Sequence, residues 1–173
     1  MNFDYKVLLG LLAVFISLPG YVIYIRNTLS GKTKPQFYSW LIWAVLAGIG
    51  YSSQIVSNAG PGSWVTGVTV LGCGVIAVLA LFKGDMHLSG VDKVLLGLSS
   101  IAVLLRVLTD NPLEALILAV GAALVGYVFT SKKAYSNPQQ ETVITYVLNS
   151  VKFFPSLFAL STVSKLTFIY PFS

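Results

Sequence analysis

The sequence predicts an all-α integral membrane protein: two parallel three-helix repeats joined by a linker helix, the second repeat short of its third helix. Three observations carry this expectation. Of 173 residues, 55% are hydrophobic and 10% charged, against roughly 25% charged residues in a soluble domain. The apolar residues gather into long runs divided by short polar breaks, which read as six spans of about 20 residues. The chain also matches itself at a constant offset of 106 residues. Leu12, Ala13 and Val14 align with Leu118, Ala119 and Val120, Leu18 with Leu124, and Gly20, Tyr21 and Val22 with Gly126, Tyr127 and Val128. Such internal symmetry is typical of secondary transporters.

The spans run from Tyr5 to Ile25, Gln36 to Val56, Ser63 to Phe82, Val91 to Leu108, Pro112 to Thr130, and Thr142 to Ser161. Each is expected to be helical, because backbone groups in hydrocarbon must bond within their own segment and no alternating barrel pattern occurs. The first run follows a segment that carries Asp4 as well as Lys6, lacks a small-x-small cleavage site and continues to Ile25, so it reads as a retained span rather than a signal peptide. Turn chemistry separates the runs. Ser30-Gly31 serves the first loop, Asn58 to Gly62 the second, Gly90 closes the third, and Asp110 or Asn111 caps a helix beginning at Pro112. Ser136-Asn137-Pro138 supplies the fifth loop.

Charge fixes orientation. Arg26, Lys32, Lys34, Lys83, Lys93, Lys132 and Lys133 fall at one set of span ends, and Lys6, Arg106 and Lys165 at the other. The positive-inside rule therefore places loops 26–35, 83–93 and 131–141 in the cytoplasm and the N-terminus outside. Four membrane crossings separate one copy from the next, so the repeats are parallel. The chain divides into repeat 1 (1–84), a loop with the linker helix (85–111), and repeat 2 (112–173), which holds two spans and a short tail. Trp64, near the start of the third helix, falls on Tyr170 in the offset alignment. The missing last helix reads either as the shortening of a seven-helix ancestor, the favoured alternative, or as a place filled by a partner or a second copy.

This organisation resembles the PQ-loop superfamily of SWEET and SemiSWEET sugar transporters, cystinosin-like carriers and bacterial relatives. Leu18-Pro19-Gly20-Tyr21 before a short basic loop, and the segment from Gly31 to Trp43 (Gly-Lys-Thr-Lys-Pro-Gln-Phe-Tyr-Ser-Trp-Leu-Ile-Trp), carry the likeness. The family's Pro-Gln dipeptide belongs in the first helix of each repeat. Here those positions read Pro19-Gly20 and Val125-Gly126, and Pro35-Gln36 opens the second helix instead. The resemblance implies a bacterial inner-membrane protein that rocks two helix units about a midplane site, with Pro19 as a candidate hinge.

The sixth span spaces Thr142, Thr145, Asn149, Lys152 and Ser156 by threes and fours, a polar stripe along one helical face. Lys152 stands near the middle of its span, where an ionisable group is a functional-site hypothesis by default; snorkelling to the interface is the competing reading. Trp40 and Trp43 on the second helix match Tyr146 and Asn149 at the offset, which makes Trp43, Tyr146, Asn149 and Lys152 the candidate substrate-binding residues. For Trp40, interfacial anchoring or packing is the stronger reading. Gln54 is expected near the outer end. The pairs Gly48 with Gly50 and Gly72 with Gly74 are expected to let helices approach closely, and Asp110 and Glu114 to pair with Arg106.

Other classes find little support. The basic residues form no aromatic-interleaved stripe for nucleic acid. No matched acid, base or nucleophile set points to an enzyme, no ligand cluster to a metal, and no motif to a cofactor. Cys73 reads as a buried thiol and His87 as a solvated loop residue. The leading expectation is a transporter or facilitator of an unidentified small solute, in contact with the lipid bilayer. The alternative is a non-transporting membrane scaffold or accessory protein.

Overall fold

The computed structural model describes residues 4–109, 111–136 and 143–173. Among them the regular structure is helical throughout. Helix α1 (Tyr5–Leu29) starts at Asp4, whose carboxylate accepts from the Lys6 backbone N–H at 3.0 Å, and runs unbroken through Pro19. It stops at Ser30, and Gly31 follows with φ 76°, the left-handed conformation that favours glycine after a helix. Helix α2 (Phe37–Val56) is capped by Gln36, which accepts from the Ser39 N–H at 2.6 Å. A 3₁₀ turn (Gly60–Ser63) leads into α3 (Trp64–Lys83).

Ser89 and Asp92 form a reciprocal capping box that opens α4 (Gly90–Leu108). Asn111 caps α5 (Pro112–Ser136) by accepting from the Leu113 N–H at 3.2 Å. The chain then forms α6 (Val143–Val151), α7 (Phe153–Phe158) and α8 (Lys165–Phe172), the last opened by a Ser164–Thr167 capping box.

Three segments, Tyr5–Leu29, Phe37–Val56 and Gly60–Lys83, are long and apolar enough to cross a membrane, with mean hydropathies of 2.2, 1.3 and 2.4. Their outward faces and those of α4 and α5 expose large apolar side chains such as Phe15, Leu71, Phe82, Val107 and Ile117. A water-soluble surface avoids contiguous apolar patches of this kind. Inside, α2 is central. Its Ile42, Leu46 and Ile49 pack with Leu95 and Ala102 of α4 and Ala115, Ala119 and Ala122 of α5. Its Trp40 packs with Tyr21, Tyr24, Cys73, Ile76 and Ala77.

Helix α3 packs on both α1 and α2, and α8 packs on both α5 and α7. Between these groups, α1 crosses α6 and α2 crosses α5. The loops sort to two ends. Phe37 N–H donates to the Asp85 carbonyl at 3.0 Å and Asp85 N–H to the Pro35 carbonyl at 2.8 Å, joining the loops after α1 and α3. Ser161 N–H donates to the Ala59 carbonyl at 2.8 Å, and Lys6 Nζ to the Ser161 carbonyl at 3.5 Å, at the other end.

Several expectations are corrected. The sixth span is not one helix to Ser161: the ladder is interrupted after Lys152, between α6 and α7, and α7 stops at Phe158. Pro155 has no N–H to give the Val151 carbonyl, which weakens the helix there. The tail is an ordered helix, α8, docked on its neighbours. Arg106 Nε donates to Ser52 Oγ at 3.1 Å, and Glu114 accepts from Asn111 Nδ2 at 3.2 Å, so neither makes the expected charge pair with the other. Asp110, Asn137, Pro138, the rest of loop 131–141 from residue 139 on and Thr142 lie outside the described residues, as do the side chains of Lys132 and Lys133, while residues 131–136, expected in that loop, continue helix α5.

Candidate functional site

Where the helices after the two crossings face each other, they leave a cavity of about 330 Å³, at the small end of the roughly 300–1,000 Å³ typical of small-molecule sites. Four pairs of residues related by the 106-residue offset line it together: Tyr21 with Tyr127, Trp40 with Tyr146, Trp43 with Asn149, and Leu46 with Lys152. All four residues named from sequence as substrate-binding candidates are therefore on one wall system. Pro19, the candidate hinge, is exposed on α1 and takes no part in the cavity.

Two close crossings join the helices around the cavity. At the α1/α6 crossing a side-chain carbon on Gly20 would meet Leu148 Cβ at 3.4 Å, and at the α2/α5 crossing one on Gly126 would meet Trp43 Nε1 at 3.3 Å. These glycines are themselves offset mates. Thr145 Oγ1 donates to the Gly20 carbonyl at 2.9 Å, pinning α6 to α1.

Aromatic side chains form a continuous run from α1 through α2 to α6. Tyr24 meets Trp40 edge-on at 4.7 Å between ring centroids, Trp40 meets Trp43 at 5.5 Å, and Trp43 meets Tyr146 at 5.9 Å. Such edge-to-face pairs contribute beyond area alone. Trp40 is not an interfacial anchor: it is buried, and its Nε1 donates to the Tyr24 hydroxyl at 3.1 Å.

Lys152 does not snorkel. It is 0% exposed. Its Nζ donates to Thr69 Oγ1 at 2.6 Å, lies 3.1 Å from the Tyr21 hydroxyl and bonds to Asn149 Oδ1. The rings of Tyr21 and Phe153 each have their centroid 5.0 Å away. The three hydrogen-bond partners are uncharged side chains from α1, α3 and α6, so the amine ties three helices together.

Sequence reasoning missed Thr69, Tyr21 and Tyr170 as members of this site. Thr66, Thr69 and Cys73 share one face of a helix otherwise rich in aliphatic residues, and that spacing was the available signal for Thr69. Tyr170 comes from α8, and its ring lies where a side chain on Gly50 would be. Tyr21 likewise occupies the space beside Gly72. Gly48 and Gly74 have nothing within 4 Å and do not serve close packing, a correction to the sequence expectation. Gln54 is fully buried and donates to the Thr167 carbonyl at 3.2 Å, which helps hold α8.

A second cavity, also about 330 Å³, lies toward the loops after α1 and α3. Gln36, Ser39, His87, Asp92, Trp43 and Gly126 are among its walls. Asp92 is buried there and accepts from Ser89 N–H and Gln36 Nε2, each at 3.0 Å. Trp43 borders both cavities, so its indole stands between the chamber beside Lys152 and the one beside Asp92.

Fold and site together define an all-helical protein with three membrane-spanning-length apolar helices, consistent with an integral membrane protein. No family model, curated protein or solved structure matches the chain.

Proposed function

We propose that the protein is a transporter or facilitator of a small solute, embedded in a bacterial inner membrane, with a midplane site between two parallel repeats. The observation that carries this reading is the shared lining of one cavity by four offset-matched residue pairs.

Two further features support it. The contacts of α1 with α6 and of α2 with α5 exchange under the offset, as an axis along the membrane normal requires of parallel repeats. Trp43 borders both the central cavity and the one at the basic-loop end, so displacement of its indole would join the two chambers. Rocking of the helix groups about the α1/α6 and α2/α5 crossings is the motion that would do this, with Pro19 as the hinge in α1. The basic loops place that second cavity on the cytoplasmic side.

Reconstitution into proteoliposomes, with uptake of a labelled metabolite panel, tests the proposal. The expected result is saturable uptake or counterflow of at least one solute, reduced at least tenfold by Trp43→Ala. Absence of protein-dependent flux across the panel, with correctly inserted and folded protein, assigns the chain to the non-transporting alternative.

A further inference from the structure

The partners of Lys152 define what the cavity lacks. Thr69 Oγ1 donates its own proton to the Val65 carbonyl at 2.8 Å, so toward Lys152 it acts as an acceptor. Asn149 Oδ1 also accepts, and the Tyr21 hydroxyl completes the set. Three neutral groups surround a fully buried amine, and among the described residues Asp4, Asp85, Asp92 and Glu114 all lie at helix ends or in loops. A buried ammonium with no anion beside it is strongly disfavoured, and an ionisable group in a membrane helix marks a substrate or ion pathway. A negative charge brought by a ligand would stabilise the ammonium form of this amine.

We infer that the cavity takes a small organic carboxylate with a flat or apolar body, its anionic end placed between Lys152 and Asn149. This rests on the reading of the cavity as a solute site and names its substrate class. Asn149 is the one partner of Lys152 that is not fully buried and that carries both an acceptor and a donor. Rotation of its amide withdraws Oδ1 from Lys152 and presents Nδ2–H, so an entering carboxylate receives N–H groups from both residues.

The remaining wall suits the other end of such a solute. Trp43, Tyr146, Phe153 and Tyr170 supply aromatic faces. The polar groups among them are largely committed: Thr69 to Val65 and Lys152, and Ser150 to the Tyr146 carbonyl at 3.1 Å. A polyhydroxylated solute would leave hydroxyls unpaired there, which is unfavourable in a dry site. A single carboxylate uses the polar end formed by Lys152 and Asn149.

Purified protein in lipid nanodiscs tests this with benzoate, phenylacetate and hexanoate, each compared with its own amide. Intrinsic fluorescence reports occupancy, because Trp40 and Trp43 line the cavity and Trp64, outside it, is removed by Trp64→Phe. At least one carboxylate is expected to bind about tenfold or more tightly than its amide, as one charge-assisted hydrogen bond provides. Lys152→Met should bring that carboxylate level with its amide. Equal binding within every pair, or no response to any carboxylate, overturns the inference; this comparison needs only the Lys152 protein, so it decides even where Lys152→Met does not fold. Carboxylate binding without flux in proteoliposomes keeps this inference and removes transport. Uptake of neutral solutes that survives Lys152→Met does the reverse.

Discussion

Thr145 donates its hydroxyl to the carbonyl of Gly20 at 2.9 Å, across the crossing of α1 and α6. The bond links two helices far apart in sequence, where Gly20 also leaves room for Leu148. Interhelical hydrogen bonds in membrane proteins contribute on average about 0.6 kcal/mol, with larger values up to about 1.7. Thr145→Val keeps the shape and removes the donor, so a loss of about 0.6–1.7 kcal/mol is expected, with Thr145→Ser retaining most of it. Thermal unfolding read by a thiol-reactive dye suits the measurement, since Cys73 is the sole cysteine and is 3% exposed.

The offset mates Gly20 and Gly126 should respond differently to alanine. At Gly20 the new carbon meets Leu148 at 3.4 Å, an ordinary contact, whereas at Gly126 it presses on Trp43 Nε1 and Leu95 Cδ1 at 3.3 Å each. Gly20→Ala is therefore expected to unfold at a temperature equal to or above that of the parent, helped by the helix preference of alanine. Gly126→Ala should move the Trp43 indole. A shift in its emission maximum in the Gly126 variant, with none in the Gly20 variant, is the expected result.

Gly50 and Gly48 give a second contrast within one helix. A side-chain carbon on Gly50 would lie 2.6 Å from Cγ of Tyr170, the fixed end of that ring, while Gly48 has nothing within 4 Å. Gly50→Ala must displace α8 or bend α2, at a cost of about 1–3 kcal/mol for overpacking. Gly48→Ala should cost nothing. Limited proteolysis beyond Ser164 is expected to speed up for the first variant alone, because Gln54 to Thr167 is a bond that goes when α8 lifts.

How far the sequence revealed this site follows from the kind of signal each residue leaves. Helical state and the membrane character of α1, α2 and α3 were legible because apolar runs of this length have few other outcomes. Trp43, Tyr146 and Asn149 stood out through the offset, which matches Trp40 with Tyr146 and Trp43 with Asn149, and Lys152 through its place in the polar stripe; one cavity gathers all four. The burial of Trp40 was not legible: an aromatic residue in a helix's first turns reads as an interfacial anchor unless its neighbour Tyr24 is known. Thr69 was missed because a threonine in a membrane helix usually bonds its own backbone, as Thr69 also does. The break at Lys152 was invisible to the helical stripe, since periodicity registers side-chain direction and not the backbone bond that Pro155 removes.

The loop connections give the topology a direct test. The loop after α1 is tied to the loop after α3, and Ala59 to Ser161, at two separate ends. With N-terminus outside, a cysteine introduced by Val163→Cys, at a residue 73% exposed, should react with a membrane-impermeant maleimide on intact cells in a Cys73→Ala background. Ser30→Cys should react only after the membrane is opened. The inverse pattern reverses the assigned orientation.

The coupling between Thr69 and Lys152 can be isolated by a double-mutant cycle. Thr69→Val preserves volume but removes the oxygen that Lys152 Nζ reaches at 2.6 Å, leaving a buried N–H unpaired; the expected loss is about 1–3 kcal/mol. The Val65 carbonyl loses little, because its helical backbone bond remains. Thr69→Ser should be close to neutral. In a Lys152→Met background no amine is left to satisfy, so Thr69→Val should then cost well under 1 kcal/mol, and the difference between backgrounds measures the pair. Equal losses in both backgrounds would place the role of Thr69 in packing α3 alone and leave Lys152 held by Tyr21 and Asn149.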